Sequence, residues 1–480
     1  MPLAGIDLGT SSVKVIILDE QGYTLGTGRK DYRVRSPHSG WAESNPEEWW
    51  QSTVAAVREA YTNAGQPTIT AIGLSGQMHG VVLTNEGGKA IRPAILWADT
   101  RAESELTYYQ ALSSNNKKHL ANPLVPGMAG PLLCWLSTYE KASYQAARWA
   151  FQPKDWLRMR MTGVPATDPS DASATLLYDL VDNCWSEDVI TALDLKRTLF
   201  PDIIASNTQA GALTTNAAAE LGLPAGLPVA TGAADTAAAA LGTGLLTPSE
   251  VQLTLGTGAQ IIQLCTQFHP LEITNTHFYR AADGANYYNM AAIQNAGLVL
   301  DWVRCTLHAS WEEVFTSAAT VEPGASGLIF LPDFTRERTH QQADHKGGAF
   351  LHLRLHHQRQ DLLHASLEGV AFGIRLALEA LPGTQTITSL RLAGGGSVHP
   401  AWRQMLSDIL NHTLELVDTS EASARGAALL AGIASGQWSD AQATQQIAPG
   451  ISARIAPEPQ HASRYHEIYQ HFLMQSQASF

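Results

Sequence analysis

Two segments of this 480-residue chain carry nearly the same text. GIDLGTSSVKVIILD runs from Gly5 to Asp19, and LTLGTGAQIIQLC runs from Leu253 to Cys265. In each, a short apolar stretch enters Leu-Gly-Thr and leaves through alternating apolar residues, which is the pattern of a β-hairpin with a glycine-rich bend. Two such hairpins, turning at Gly9 and Gly256, predict a duplicated domain with a ligand between the halves. Glycine beside Thr or Ser lets backbone N–H groups approach an anion while hydroxyls add donors, as phosphate cradles do. One Gly-Thr bend is ordinarily only a turn. Two in matching contexts point to a nucleotide clamp.

The length prior allows about three domains, and two of roughly 240 residues fit the repeat better. Hydrophobic residues at 45% and charged residues at 16% describe an ordinary globular composition, with no tract that reads as disorder. A net charge of −13 argues against a nucleic-acid or anionic-membrane surface, although a local basic site can still take phosphate. Cys134, Cys184, Cys265 and Cys305 are scattered and form no CxxC, so reduced, buried thiols and a cytoplasmic location are expected. Neither an export signal at Met1–Asp7 nor a membrane span is expected.

Along the chain, strands alternate with helices, the signature of an α/β protein. In SNPEEWWQSTVAAVREAY, Asn45 is placed to cap, Pro46 to sit at N1 and Glu48 at N3, with Trp49, Val54 and Val57 spaced for one helix face. The stretch from Ile69 reads as a strand, an irregular turn at Ser75–Gly80, a second strand, a Gly-Gly turn and a last strand ending at Trp97–Asp99. Residues 100 to 225 are expected to be mainly helical and connecting, with a tight run at Pro153–Gly163. LPVATGAADTAAAALGTG gives a strand at Leu227–Thr231, a small-residue turn, Asp235 and an alanine-rich helix from about Thr236. Leu246–Glu250 divides the halves, so domains 1–246 and 247–480 are expected. In the second, Asp361–Leu381 reads as a long helix and Ile387–Ala393 as a strand running into Gly394-Gly395-Gly396. Trp402, Met405, Leu406, Ile409 and Leu410 form one face of the following helix. A flat ligand can approach backbone at the triple glycine, and the small residues of Glu421–Gly432 allow close packing at the same pocket.

An aspartate beside a glycine turn commonly caps it, but Asp7 ends the first strand directly before a candidate phosphate loop. There a carboxylate can hold Mg²⁺ beside phosphate oxygens. Asp235 lies where the small-residue turn meets a helix N-terminus, a capping position that equally suits a base for a phosphoryl-acceptor hydroxyl. Gln77, Met78 and His79 interrupt a strand pair between Gly76 and Gly80, where an irregular backbone can present polar groups to a polyol. Trp97 and Asp99 end a neighbouring strand, where packing and capping compete with ligand contact. HExxH, GxSxG and P-loop lysine motifs are absent. Trp41, Trp49 and Trp50 read as packing, and His352–His364 as solvated surface.

The ordered set DLGTSSVK (Asp7–Lys14), GQMHG (Gly76–Gly80), PAILWAD (Pro93–Asp99), Asp235, LGTG (Leu255–Gly258), AGGG (Ala393–Gly396), WRQML (Trp402–Leu406) and EASARGAALLA (Glu421–Ala431) resembles the FGGY carbohydrate kinases. GQMHG is characteristic of the xylulokinase branch of that family. The resemblance covers almost the whole chain. It implies two actin-like (ribonuclease H-like, ASKHA) domains, ATP and Mg²⁺ in the cleft between them, and phosphoryl transfer to O5 of D-xylulose. By motif, it makes Asp235 the catalytic base, Asp7 the metal-associated aspartate, and Gln77, Met78, His79, Trp97, Asp99 and Thr236 the sugar site. Thr10, Ser11, Ser12, Lys14, Gly256, Thr257 and Gly258 match the phosphate loops, and Gly394, Gly395, Gly396 and Gln404 the adenosine motif. Thr236 stands where that branch usually has Asn or Gln, and Arg336-Glu337-Arg338 where Gly-Glu-Arg is usual. Leu132 replaces a common Lys and His352 a common glycine. The expected function is an ATP-dependent sugar kinase of xylose metabolism, with another ketose or polyol, or a non-catalytic ATP-binding sensor, as alternatives. Sugar and ATP are the expected partners, and a homodimer is left open.

Overall fold

The computed structural model describes residues 1–248, 250–268, 276–334, 347–384, 387–417, 419 and 421–478. The segment Arg336-Glu337-Arg338 and Ser249 of the dividing stretch lie outside the described residues. The first sheet contains β1 (Leu3–Leu8), β2 (Ser12–Leu18), β3 (Thr24–Asp31), β4 (Ala71–Gly76), β5 (Gln209–Ala212), β6 (Pro228–Ala230) and β7 (Ala233–Ala234). Its order is β5-β6-β4-β1-β2-β3, with β7 continuing beside β4. The second contains β8 (Val251–Leu255), β9 (Ala259–Cys265), β10 (His277–Arg280), β11 (Tyr287–Ile293), β12 (Ser389–Ala393), β13 (Thr413–Val417) and β14 (Ile451–Ile455). Its order is β10-β11-β9-β8-β12-β13-β14.

Six strands of one sheet repeat six strands of the other. β3, β2 and β1 are antiparallel neighbours, β1, β4 and β6 run parallel, and β5 returns antiparallel. β11, β9, β8, β12, β13 and β14 reproduce that sequence of directions. The duplicated text thus folds as a duplicated sheet, and both Leu-Gly-Thr bends fall at the carboxyl ends of parallel central strands. In an open α/β sheet that edge is where ligands bind.

Helices α1 (Pro46–Asn63), α2 (Pro153–Thr162), α3 (Asp235–Gly242), α4 (Gly297–Thr306), α5 (Arg359–Glu379), α6 (Pro400–Leu410) and α7 (Ala422–Ala434) position the site. α1 begins as its sequence dictates: Asn45 accepts the Glu47 N–H, Pro46 takes the first helical position, and Trp49, Trp50 and Val57 are buried. α3 and α7, which follow corresponding strands of the two sheets, cross each other between the halves. A Cβ on Gly242 would lie 2.0 Å from the Ala422 carbonyl oxygen, and one on Gly426 would lie 1.8 Å from that of Ala238. Only glycine lets these backbones approach so closely. One apolar cluster, including Leu3, Ala238, Leu241, Tyr288, Ala428 and Leu430, runs through this crossing.

Several expectations are corrected. The small residues of α7 pack against the first sheet and α3 rather than at the glycine triplet, because Gly5 and Gly73 admit its backbone. The strand expected to end at Trp97–Asp99 stops at Ile95, since the Asp99 N–H bonds the Leu96 carbonyl and turns the chain. Asp235 is the first residue of α3 and not its cap, which is Ala234. Only Cys134 of the four thiols is buried, with Cys265 partly buried and Cys184 and Cys305 exposed. His364 is buried inside α5, bonded to the Ser317 carbonyl and Glu368. His352, at a position where the resembling family commonly has glycine, adopts a φ of 63°.

Candidate active site

Strand ends from both sheets supply the site. Asp7 faces Ser75 across β1 and β4, and the Ser75 hydroxyl donates to its carboxylate at 3.0 Å. Asp7 is buried, and desolvation, followed by the negative charge of Asp235, pushes it from 3.8 up to about 7. A buried carboxylate held in this way by the Ser75 hydroxyl has the chemistry of a divalent-cation ligand. At the corresponding place in the second sheet stands Thr254, so only the first half carries the acid.

The first bend closes on itself through Gly9 N–H to the Ser12 carbonyl at 3.0 Å, and the second through Gly256 N–H to the Gly258 carbonyl at 2.8 Å. Ser11 and Thr257 are exposed at the bend tips. The Trp97 indole N–H donates to the Thr10 hydroxyl at 2.9 Å, and Gln77 Nε2 donates to the Gly9 carbonyl at 3.1 Å. That carbonyl also accepts the Tyr32 hydroxyl, a support that sequence reasoning missed. Gln77 Oε1 is buried without a protein partner. Lys14 lies on β2 opposite Asp7 and reaches across the halves to Glu421 at 2.8 Å.

Asp235 opens α3 and is half-buried. Its Oδ1 accepts the Thr236 N–H at 2.6 Å and the Thr236 hydroxyl at 3.1 Å. Both bonds fall on one oxygen, and Oδ2 takes neither of them. Desolvation raises Asp235 to about 6, while the Thr236 bonds pull it down. Thr236→Val is therefore expected to move the acid limb of kcat/KM upward by about one pH unit, because it deletes a donor to the ionised form. A limb that stays in place in a pH–rate profile would remove Thr236 from this role.

His79 has a φ of 72°, with its N–H on Gln152 Oε1 at 2.8 Å and its ring Nδ1 2.7 Å from the Ala174 carbonyl oxygen. Met78 is buried beside it. Asp99 is spent inside the protein: the Arg101 guanidinium bonds both its oxygens, at 2.9 and 2.7 Å, and the Arg101 and Ala42 N–H groups add two more contacts. In the second half, Gly394 has a φ of 96°, and a Cβ there would meet the Leu255 carbonyl oxygen at 2.2 Å. The glycine triplet thus lies directly against the end of β8 at Leu255, just before Gly256. Gln404 is turned elsewhere, with its amide on Asp408 at 2.9 Å and on the Ala456 carbonyl at 3.0 Å. Asp7, Gln77, Thr10, Trp97 and Asp235 therefore gather at the edge of one sheet, and Gly256–Gly258 and Gly394–Gly396 at the edge of the other.

Comparison with known proteins agrees with this architecture. The profile of the FGGY family of carbohydrate kinases, N-terminal domain, matches residues 3–242, and that of the C-terminal domain matches 251–435. The chain is 33% identical to the xylulose kinase of Escherichia coli over 436 residues, which cover 90% of this chain and 89% of the relative. The crystal structure of a xyloylose kinase from Brucella ovis superposes with a TM-score of 0.93 at 32% identity, covering 100% of this chain and 99% of that one. A glycerol kinase of Alcanivorax borkumensis is 30% identical over 96% of both chains.

Proposed function

The chain belongs to the FGGY family of carbohydrate kinases, and on that footing we propose that this sugar kinase transfers the γ-phosphoryl group of ATP to D-xylulose, giving D-xylulose 5-phosphate. The observation that carries the chemistry is Asp235, a carboxylate raised to about 6 at a helix N-terminus, with one oxygen tied to Thr236 and the other left for a hydroxyl proton. A base with a pKa near the working pH combines correct ionisation with driving force for proton transfer.

Asp235 Oδ2 takes the proton of the acceptor hydroxyl as the hydroxyl oxygen attacks the γ-phosphorus and the bond to the ADP oxygen breaks. The bends Gly9–Ser12 and Gly256–Gly258 face phosphate from the two halves, with Lys14 adding positive charge. Asp7 is the residue that would hold Mg²⁺, which when bound neutralises developing charge on phosphate oxygens. Adenosine is assigned to the turn Gly394–Gly396. The sugar is assigned to Gln77, Met78 and His79, with Trp97 bracing Thr10 and Asp99 holding the turn through Arg101. We place the division between the halves at residues 246 and 247. Closure of these halves around α3 and α7 would exclude water from the transfer.

The ketopentose rests on the Gln77–His79 turn and on relatives named as xylulose kinases. The glycerol kinase relative, aligned over 96% of both chains, favours a polyol as the second reading. ADP release over a panel of ketopentoses, aldoses, glycerol and gluconate is expected to give D-xylulose the highest kcat/KM. A site that hydrogen-bonds substrate hydroxyls rejects analogues lacking them by roughly 10⁴-fold. A higher kcat/KM for glycerol would replace the ketopentose by the polyol, and no turnover on any sugar would remove the kinase reading.

A further inference from the structure

The densest buried charge in the described residues lies beside the site rather than in it. Lys154, in the first turn of α2, is fully buried with Nζ 2.6 Å from Asp155, 2.9 Å from Asp168 and 3.2 Å from Asp171. Arg158 adds a second cation, with Nη1 2.9 Å from Asp155 and 2.7 Å from the Thr231 carbonyl oxygen. A buried ionic cluster contributes little net stability compared with apolar packing, because desolvation offsets the attraction. Its geometry is the more informative property, and it leads in two directions.

One arm ends under Asp235. Asp168 Oδ2 accepts the Ser170 N–H at 2.9 Å and also the Ser170 hydroxyl. Because that hydroxyl spends its only proton on Asp168, its lone pairs face outward, and they accept the Ala234 N–H at 2.9 Å. Ala234 is the residue immediately before Asp235. The other arm ends under the sugar turn. Gln152, two residues before Lys154, donates to the Asp171 carbonyl at 2.8 Å and accepts the His79 N–H at 2.8 Å. The first arm runs contact by contact: Lys154 Nζ lies against Asp168 Oδ1, Asp168 Oδ2 accepts from Ser170, and Ser170 holds the backbone next to the base.

We infer that Lys154, acting through Asp168 and Ser170, is a positioning group that sets Asp235 in register with the His79 turn. This rests on Asp235 being the base. Misplacing a catalytic group by about 1 Å costs up to roughly 10²-fold in rate.

Ser170→Ala removes the link with the smallest change of volume. It is expected to lower kcat by roughly 10- to 100-fold while KM for ATP stays within about twofold. Combined with Asp235→Asn, it is expected to lower the residual rate no further, because there is no longer a base to misplace. A purely structural serine would lower both backgrounds by the same factor, and that multiplicative result, like an unchanged kcat in Ser170→Ala, would overturn the inference. Should Ser170→Ala fail to fold by its thermal melt, Asp168→Asn preserves shape and an oxygen for Ser170, and the same non-additivity is required of it. Asp235→Asn with normal turnover would instead remove the base reading, and the positioning role with it.

Discussion

Asp235→Asn is expected to lower kcat by roughly 10²–10⁴-fold, the usual worth of a positioned general base. The fold should survive, because the Asn carbonyl oxygen can still accept the Thr236 N–H and hydroxyl that now bond Oδ1 at 2.6 and 3.1 Å. In the wild type, kcat/KM should fall as pH drops through about 6, where Asp235 takes up its proton. The variant should lose the limb near 6 that belongs to Asp235. Steady-state rates from pH 5 to pH 8 test both points, and near-normal turnover in the variant would return Asp235 to an ordinary helix-terminal acid.

Asp7→Asn should reverse sign between stability and function. A carboxyl whose pKa is raised in the fold binds its proton more tightly there than in the unfolded chain, so stability declines as pH rises from the ordinary 3.8 through about 7. Above that the loss is complete, and at about 1.4 kcal/mol per tenfold it amounts to about 4 kcal/mol. Replacing Asp7 by neutral Asn should therefore raise the apo melting temperature at pH 8 by several degrees, with the gain vanishing below pH 4. Turnover should fall by roughly 10²–10³-fold, as expected for loss of a charge that anchors a cation on the phosphates. Added Mg²⁺–ATP should stabilise the variant less than the wild type. A capping aspartate behaves differently: its loss lowers stability by about 0.5–2 kcal/mol, with or without ligand. That outcome, with normal turnover, would withdraw the metal role.

Local pattern made the hairpins, α1 with its Asn45 cap and Pro46, and the buried face of α6 legible in the sequence, because each depends on residues a few positions apart. The duplication was legible too, since both copies keep Leu-Gly-Thr between apolar strands. The cluster around Lys154 was not. Its members come from α2 and from the Asp168–Asp171 segment, and nothing local says that a Lys-Asp pair before Trp156 is fully buried rather than solvated. Lys154, Asp155, Arg158 and Thr162 share one face of α2, which by pattern reads as a solvated face, and the structure turns it inward, with nine of the helix's residues buried. Asp99 and Gln404 show the opposite case: their motifs marked them for ligands, while their side chains bond Arg101, Ala42, Asp408 and Ala456.

The sequence by itself determined the two-fold repeat of the chain, the two glycine bends and the identity of the acids placed beside them, because hairpins, caps and turns are set by neighbours along the chain. Only the tertiary structure decided which of those acids is raised, which is spent and which stays open. Asp7 and Asp235 lie 228 positions apart in sequence, yet the charge of Asp235 helps to raise Asp7 once β1, β7 and α3 come together, while Asp99 is paired with an arginine two residues away. Charge and desolvation act through space, and through-space neighbours are chosen by packing.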